Sequence, residues 1–444
     1  MEKDLTLESL NQFEKDFEKQ RANLVAQNAV ASMGIASAST NYQTARDQRQ
    51  QFSIFLDQKG ITNQASSGRC WMFAGLNFLR YQMINKLKVK DLELSQNYTL
   101  FYDKLEKANW FYENIIATSE EKIGSRVFDY LLASPLGDGG QWDMLRDLIG
   151  KYGLVPKEAM PETYCSSHTN LLDHYLTTKL RGDAITLRQA KDKGQSLSEL
   201  RELKKGMLAV IYRMLAIALG NPPQSFTYEY TDTDKKFHRE DNLTPKSFYA
   251  KYIGVDLEDY ISIINAPTPD KPFHQSYSVK LLGNVTEGKG VRYLNLPIED
   301  LKELAIKQLK DGIPVWFGSD VGKYSNRKGL MDPELYQVGE LFDTTFPMTK
   351  GQRLEYGQSL MTHAMVLQGV NLNSEGQPER WRVENSWGKD VGSDGYYVMS
   401  DKWFSEYTYQ VVINKKYLSA SQLAQYNADP KMLEPWDPMG SLAD

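Results

Sequence analysis

Asn63-Gln64-Ala65-Ser66-Ser67-Gly68-Arg69-Cys70-Trp71-Met72-Phe73 passes from polar, turn-forming residues to a helical pattern at Cys70. Met72, Leu76, Leu79, Met83 and Leu87 recur at steps of three and four, which predicts one apolar stripe along a helix. Ser66 and Ser67 are candidate N-caps, so Cys70 is expected in the first helical turn. A thiol there faces the positive end of the helix dipole, which favours its anion. A buried Cys is more often inert core. The neighbours decide otherwise, because Gln64 can aim a side-chain amide beside the backbone N–H of Cys70, where an oxyanion would form.

Two later stretches supply what a thiolate needs. Leu360-Met361-Thr362-His363-Ala364-Met365-Val366-Leu367 reads as a strand with His363 at its start. Val383-Glu384-Asn385-Ser386-Trp387-Gly388 reads as a strand running into a turn. An imidazole must take the thiol proton and later give it to the leaving amine. A neutral amide, Asn385, can hold that ring, and Trp387 can shield the bond from water. Cys70, His363 and Asn385 are therefore the candidate catalytic triad. The order of segments puts a helical half first and a β-rich half last, an α+β enzyme with its cleft between them.

Ser67-Gly68-Arg69-Cys70-Trp71, Thr362-His363-Ala364 and Asn385-Ser386-Trp387-Gly388 resemble the signature of papain-like cysteine peptidases. Ser67 stands where that signature has a Cys, and Arg69 where it has a small residue. Cys70 and His363 also lie much further apart than the about 130–150 residues usual there, so a long insertion is expected between them. With Gln141-Trp142-Asp143-Met144, Ile264-Asn265-Ala266-Pro267 and the tail from Pro435 to Asp444, the chain closely resembles the bacterial aminopeptidase C and bleomycin hydrolase family. That resemblance implies a papain-like fold, a helical half plus a β-barrel-like half, with a large helical insertion. It also implies a homohexamer with the active sites facing an inner chamber, and removal of N-terminal residues from peptides with broad specificity. Gly139 and Gly140 would line the cleft and pair with the substrate main chain. The C-terminal arm would lie in that cleft, with Ala443 and Asp444 at its end receiving the free α-amino group. The related alternatives are an amide or thiolactone hydrolase using the same groups, and a nucleic-acid-binding protein.

Bulk properties narrow the field. At 444 residues with 25% charged and 41% hydrophobic residues, the chain has ample material for globular cores. A formal net charge of −5 disfavours nucleic acid and anionic membranes. The two cysteines, Cys70 and Cys165, and Ser67 in place of a pairing Cys favour a reducing compartment. The start Met1-Glu2-Lys3-Asp4-Leu5 lacks a signal-peptide pattern, and no apolar run is long enough to span a membrane. A cytoplasmic location is expected. His168 and His174 read as surface residues rather than metal ligands, and no phosphate-cradling glycine motif occurs, so no metal and no cofactor is expected.

In chain order, residues 1–50 read as an amphipathic helical arm, either packed on its own domain or gripping a neighbouring subunit. Residues 51–160 form the helical half with the nucleophile, and Ser95 caps a helix there. Residues 161–290 read as a helical insertion serving oligomerisation. In it Ser196-Leu197-Ser198-Glu199 is a capping box, and Met207 to Leu219 is apolar nearly all round, hence buried. Residues 291–430 form the β half with His363 and Asn385. Residues 431–444 are the arm; prolines and large apolar groups there argue for a stiff, docked segment.

Overall fold

The computed structural model describes residues 3–46, 49–57 and 60–443. Asp444 therefore lies outside the described residues. One mixed sheet organises the molecule. Its strands run, in spatial order, Lys431–Leu433, Gln275–Val279, Tyr293–Asn295, Tyr260–Ile264, Thr408–Asn414, Val315–Ser319, His363–Leu372, Pro378–Glu384, Tyr396–Ser400 and Leu330–Met331. Val315–Ser319 and the first eight residues of the His363 strand are buried throughout. Both faces are covered, by the Cys70–Leu87 helix and by the Ile298–Lys310 helix, which is why these strands read as continuous apolar runs rather than alternating ones.

The Cys70 helix differs from its expected single stripe. Every residue from Cys70 to Tyr81 is buried, Asn77 and Arg80 included. Over this stretch the helix lies between the sheet and the helices Gln96–Ala117 and Trp142–Tyr152, so it has no solvent face there; only its last turn, at Asn85 and Lys86, is exposed. Gly75 permits the close approach: a Cβ there would stand 2.0 Å from Leu145 Cδ2. The serine caps also fail. Arg69 occupies the N-cap position without a side-chain cap bond. The Ser67 hydroxyl instead donates to the Gln64 carbonyl at 2.6 Å and accepts from Arg69 Nε at 2.8 Å.

Ser95 does cap its helix, accepting from the Tyr98 N–H at 3.0 Å. Ser196 and Glu199 form the expected capping box of Leu197–Leu219. That helix and Asn170–Asp192 pack on Gln96–Ala117. Its second half is not buried all round, however. Ile211, Leu215 and Leu219 are buried, while Ile217 is 81% exposed, because only one face meets the neighbouring helices. The stretch 161–290 is also not wholly helical, since Tyr260–Ile264 and Gln275–Val279 join the main sheet and Phe226–Thr231 pairs with Phe237–Leu243 as a separate hairpin. Among the described residues no helix is long and apolar enough to cross a membrane.

The two ends behave differently. The N-terminal helices Leu7–Glu18 and Arg21–Ala38 contain no buried residue; the second touches the body at Val338–Phe342, and just past its end Ser39 accepts from the Gln337 N–H at 2.8 Å. The C-terminal segment is docked: Lys431–Leu433 runs parallel to Tyr277–Val279, and Met439 and Ala443 are buried.

Candidate active site

The helix bearing Cys70 crosses the strand that begins at His363. The helix is tied to the adjacent Val315–Ser319 strand by the Trp316 indole, which donates to the Trp71 carbonyl at 3.0 Å. Trp316 pairs with Val366 and Ser319 with His363 in adjacent strands, so the start of the helix and the start of the strand share one end of the sheet. Cys70, at the first helical position, and His363 are both buried.

His363 Nε2 and Asn385 Oδ1 are 2.9 Å apart. Asn385 follows directly on the Pro378–Glu384 strand, which pairs antiparallel with the His363 strand. With Nε2–H donating to the amide oxygen, Nδ1 is the nitrogen left to face a proton donor. The Trp387 ring packs 4.7 Å from the imidazole. Burial pushes the His363 pKa down to about 4, and the bond to Asn385 works the other way. A thiolate alongside would favour the charged ring.

Gln64 is held from three sides. Its backbone N–H donates to the Ser386 carbonyl at 2.8 Å, its Nε2 to the Ser67 carbonyl at 2.7 Å, and its Oε1 accepts from the Ser386 hydroxyl at 2.7 Å. Ser386 also donates its backbone N–H to Asn385 Oδ1 at 2.8 Å. One serine thus ties the amide that faces His363 to the amide proposed for the oxyanion. Sequence reading passed over Ser386; its place directly after Asn385 was the available signal. The turn carries strain as well: Ala65 sits at φ +53°, a left-handed conformation costing a residue with a Cβ about 1–2 kcal/mol.

Arg69, at the site of a small residue in the papain-like signature, is buried and meets Glu162 through two bonds of 3.1 and 2.8 Å. Behind Asn385, buried Glu384 accepts from Arg80 of the Cys70 helix at 2.9 Å. Burial raises its pKa to about 7 against the pull of Arg80 and Arg382.

Gly139 and Gly140 follow Asp138, whose carbonyl accepts from the Trp71 indole at 2.7 Å. Gly140 pairs antiparallel with Ala443, its N–H donating to the Ala443 carbonyl at 3.1 Å and its carbonyl accepting from the Ala443 N–H at 3.2 Å. Gln141 Nε2 donates to the Ser441 carbonyl at 2.6 Å, and the Ser441 hydroxyl to the Met361 carbonyl, two residues before His363, at 2.6 Å. Leu442 and Gly139 line a cavity of about 310 Å³ beside this edge. The arm thus bridges the helical half and the sheet half.

Residues 4–440 match the model of the Peptidase C1-like family. Aminopeptidase C of Streptococcus thermophilus is 47% identical over 429 residues, covering 96% of each chain. Aminopeptidase C of Listeria monocytogenes is 47% identical over 444 residues, covering each chain in full. Among solved structures, PepW from Lactobacillus rhamnosis HN001 superposes with a TM-score of 0.98 at 51% identity, each chain covered in full. With His363, Asn385 and the Cys70 helix assembled at one end of an α+β sheet and this similarity running the length of the polypeptide, the chain belongs to the Peptidase C1-like family of cysteine peptidases.

Proposed function

We propose that this chain is a cysteine aminopeptidase of broad specificity, and that the C-terminal arm is what confines it to free amino ends. The observation carrying this reading is the two-way main-chain pairing of Ala443 with Gly140. That edge would otherwise hold the peptide residue upstream of the cleaved bond, so only a short N-terminal piece fits between the arm and Cys70.

In the reaction, Cys70 passes its proton to His363 Nδ1 and its sulfur attacks the first peptide carbonyl. The oxyanion is met by the Cys70 N–H and the second Nε2–H of Gln64. His363 returns the proton to the amine, which leaves as the shortened peptide. Water then gives a proton to His363 and its oxygen to the acyl carbon, and Cys70 departs with the proton as the free amino acid is released. Asn385 keeps the ring oriented without cancelling its charge, since an amide is neutral. The end of the arm, at Ala443 and Asp444, offers a carboxylate for the substrate ammonium. Trimming of Asp444 belongs to this reading, and an intact Asp444 in fully active enzyme, seen by mass spectrometry, would remove it.

Comparison of free and N-acetylated aminoacyl-anilides tests the assignment. The free substrate should be preferred by at least about a hundredfold, because a blocked amine leaves a carboxylate unpaired. Equal rates would overturn it. Cys70→Ala should lower the rate by about 10³-fold or more. In that variant His363 has no anion beside it and should stay neutral until pH falls to about 4, read by NMR of the ring. Its unfolded-state value is higher, so the stability this group contributes is full above about 6.5 and falls away toward 4.

A homohexamer in a reducing cytoplasm is the setting that suits these features. Two free cysteines and an N-terminal arm with no buried residue support it.

A further inference from the structure

The Gly140 edge is braced from beneath by two lysines of the Gln96–Ala117 helix, one turn apart. Lys107 is buried, and its Nζ donates to the carbonyls of Gly137 at 2.9 Å, Asp138 at 3.4 Å and Gly139 at 2.7 Å. The same nitrogen lies 2.7 Å from Asp103 and 5.4 Å over the Trp71 ring. Lys104, fully buried, reaches Asp138 and Asp173, each at 2.6 Å. Asp138 in turn accepts from the Gly68 N–H at 2.7 Å and the Thr169 hydroxyl at 2.5 Å, and its carbonyl accepts from the Trp71 indole at 2.7 Å. Gly140 follows with no room for a side chain: a Cβ would stand 2.3 Å from Trp71 Cε2.

We propose that Lys107 is a positioning residue which sets the register of the Gly140 edge against the turn that carries Cys70. The proposal deepens the aminopeptidase reading and rests on it for the role of that edge. Three successive carbonyls converge on one ammonium, so the main chain before Gly140 cannot rotate without breaking charge-assisted bonds. Its N–H and carbonyl are then held toward Ala443. Asp138 fixes the same turn to Gly68 and Trp71 on either side of Arg69 and Cys70. The arm, the peptide edge and the nucleophile are thereby referred to one buried cluster. Burying an ammonium is costly unless its donors are met; here the compensation is spent on backbone carbonyls of the binding edge.

The test is steady-state kinetics of Lys107→Met and Lys107→Arg on a free aminoacyl-anilide, with rates expressed per reactive thiol counted by stoichiometric inactivation. Lys107→Met should raise KM about tenfold with kcat within about twofold. Lys107→Arg keeps the charge toward Asp103, but a planar fork cannot bring one nitrogen to three carbonyls; KM should rise about fivefold at near-normal thermal stability. A merely structural lysine would reduce the number of titratable sites and leave KM per site unchanged, and that result overturns the proposal. Should the methionine variant fail to fold, the arginine variant decides alone. The unsubstituted enzyme, on free and acetylated substrates, tests the aminopeptidase reading separately, so the two failures are distinguishable.

Discussion

Residues 5–38 and 431–443 are both arms rich in apolar side chains, but their surroundings are opposite. Leu5, Leu7 and Phe13 at the N-terminus are 69%, 79% and 60% exposed, and neither helix there has a buried residue. At the C-terminus Leu433, Met439 and Ala443 are buried, and the chain is held by strand pairing, by Lys271 on Asp437, by the Tyr293 hydroxyl on the Met439 carbonyl, and by Arg126 stacked 3.9 Å over Trp436. An amphipathic helix satisfies its own backbone and leaves its apolar stripe for whatever arrives. An extended tail cannot satisfy its own backbone, so it must pair with a sheet edge or with polar groups of the body.

The strongest way to break this contrast is to remove residues 441–444. Free aminoacyl-anilides should then lose about 10²–10³-fold in kcat/KM, and N-blocked peptides, which the arm is proposed to exclude, should be cleaved. A truncated enzyme still refusing blocked peptides would mean that the arm does not define the amino-end preference. A smaller perturbation is Lys271→Met. Lys271 is 3% exposed and bonds Asp437 at 2.9 Å, with Asp437 11% exposed. Loss of one partner of so shielded a pair, discounted for the partly open carboxylate, costs roughly 1–2 kcal/mol, about a tenfold fall in kcat/KM on free substrates. Smaller again is Arg126→Ala. An exposed guanidinium over an indole contributes about 0.5–1 kcal/mol, so the fall should be about threefold, readable by the same assay.

Much of the candidate site was legible because its chemistry is local. Cys70, His363, Asn385 and Gln64 each sit in a short stretch whose residue types suit one task, and His363 and Asn385 do meet at 2.9 Å. Ser95 and Ser196 were readable as caps for the same reason, since a cap is decided within four residues. Ser66 and Ser67 were not, because Ser67 spends its hydroxyl on Gln64 and Arg69, a choice set by the tertiary turn. The strands Tyr260–Ile264 and Gln275–Val279 escaped the helical reading of 161–290 because both pair with Tyr293–Asn295, just beyond that stretch, and are completed by distant strands, Thr408–Asn414 and Lys431–Leu433. The exposure of Ile217 was hidden likewise: composition tells how apolar a helix is, not how many neighbours it has.

The N-terminal arm provides the finest test, because the contrast predicts almost no effect on chemistry. Leu7 and Phe13 are far more exposed than Cys70, His363 or Asn385, and nothing on this arm contacts the Cys70 helix strongly. Replacing both by Lys places charge on the apolar side of a helix that already satisfies its own hydrogen bonds. If a second copy of the chain covers that side, its burial must reverse, at about 1.5–3 kcal/mol for each large side chain. Light scattering should then find the assembly shifted toward single chains, while kcat/KM per reactive thiol on free aminoacyl-anilides stays within about threefold. An unchanged mass would show that the arm is not an assembly element. A loss of activity in step with the loss of mass would show instead that the two ends are coupled, with the docked tail depending on the subunit contacts made by the free one.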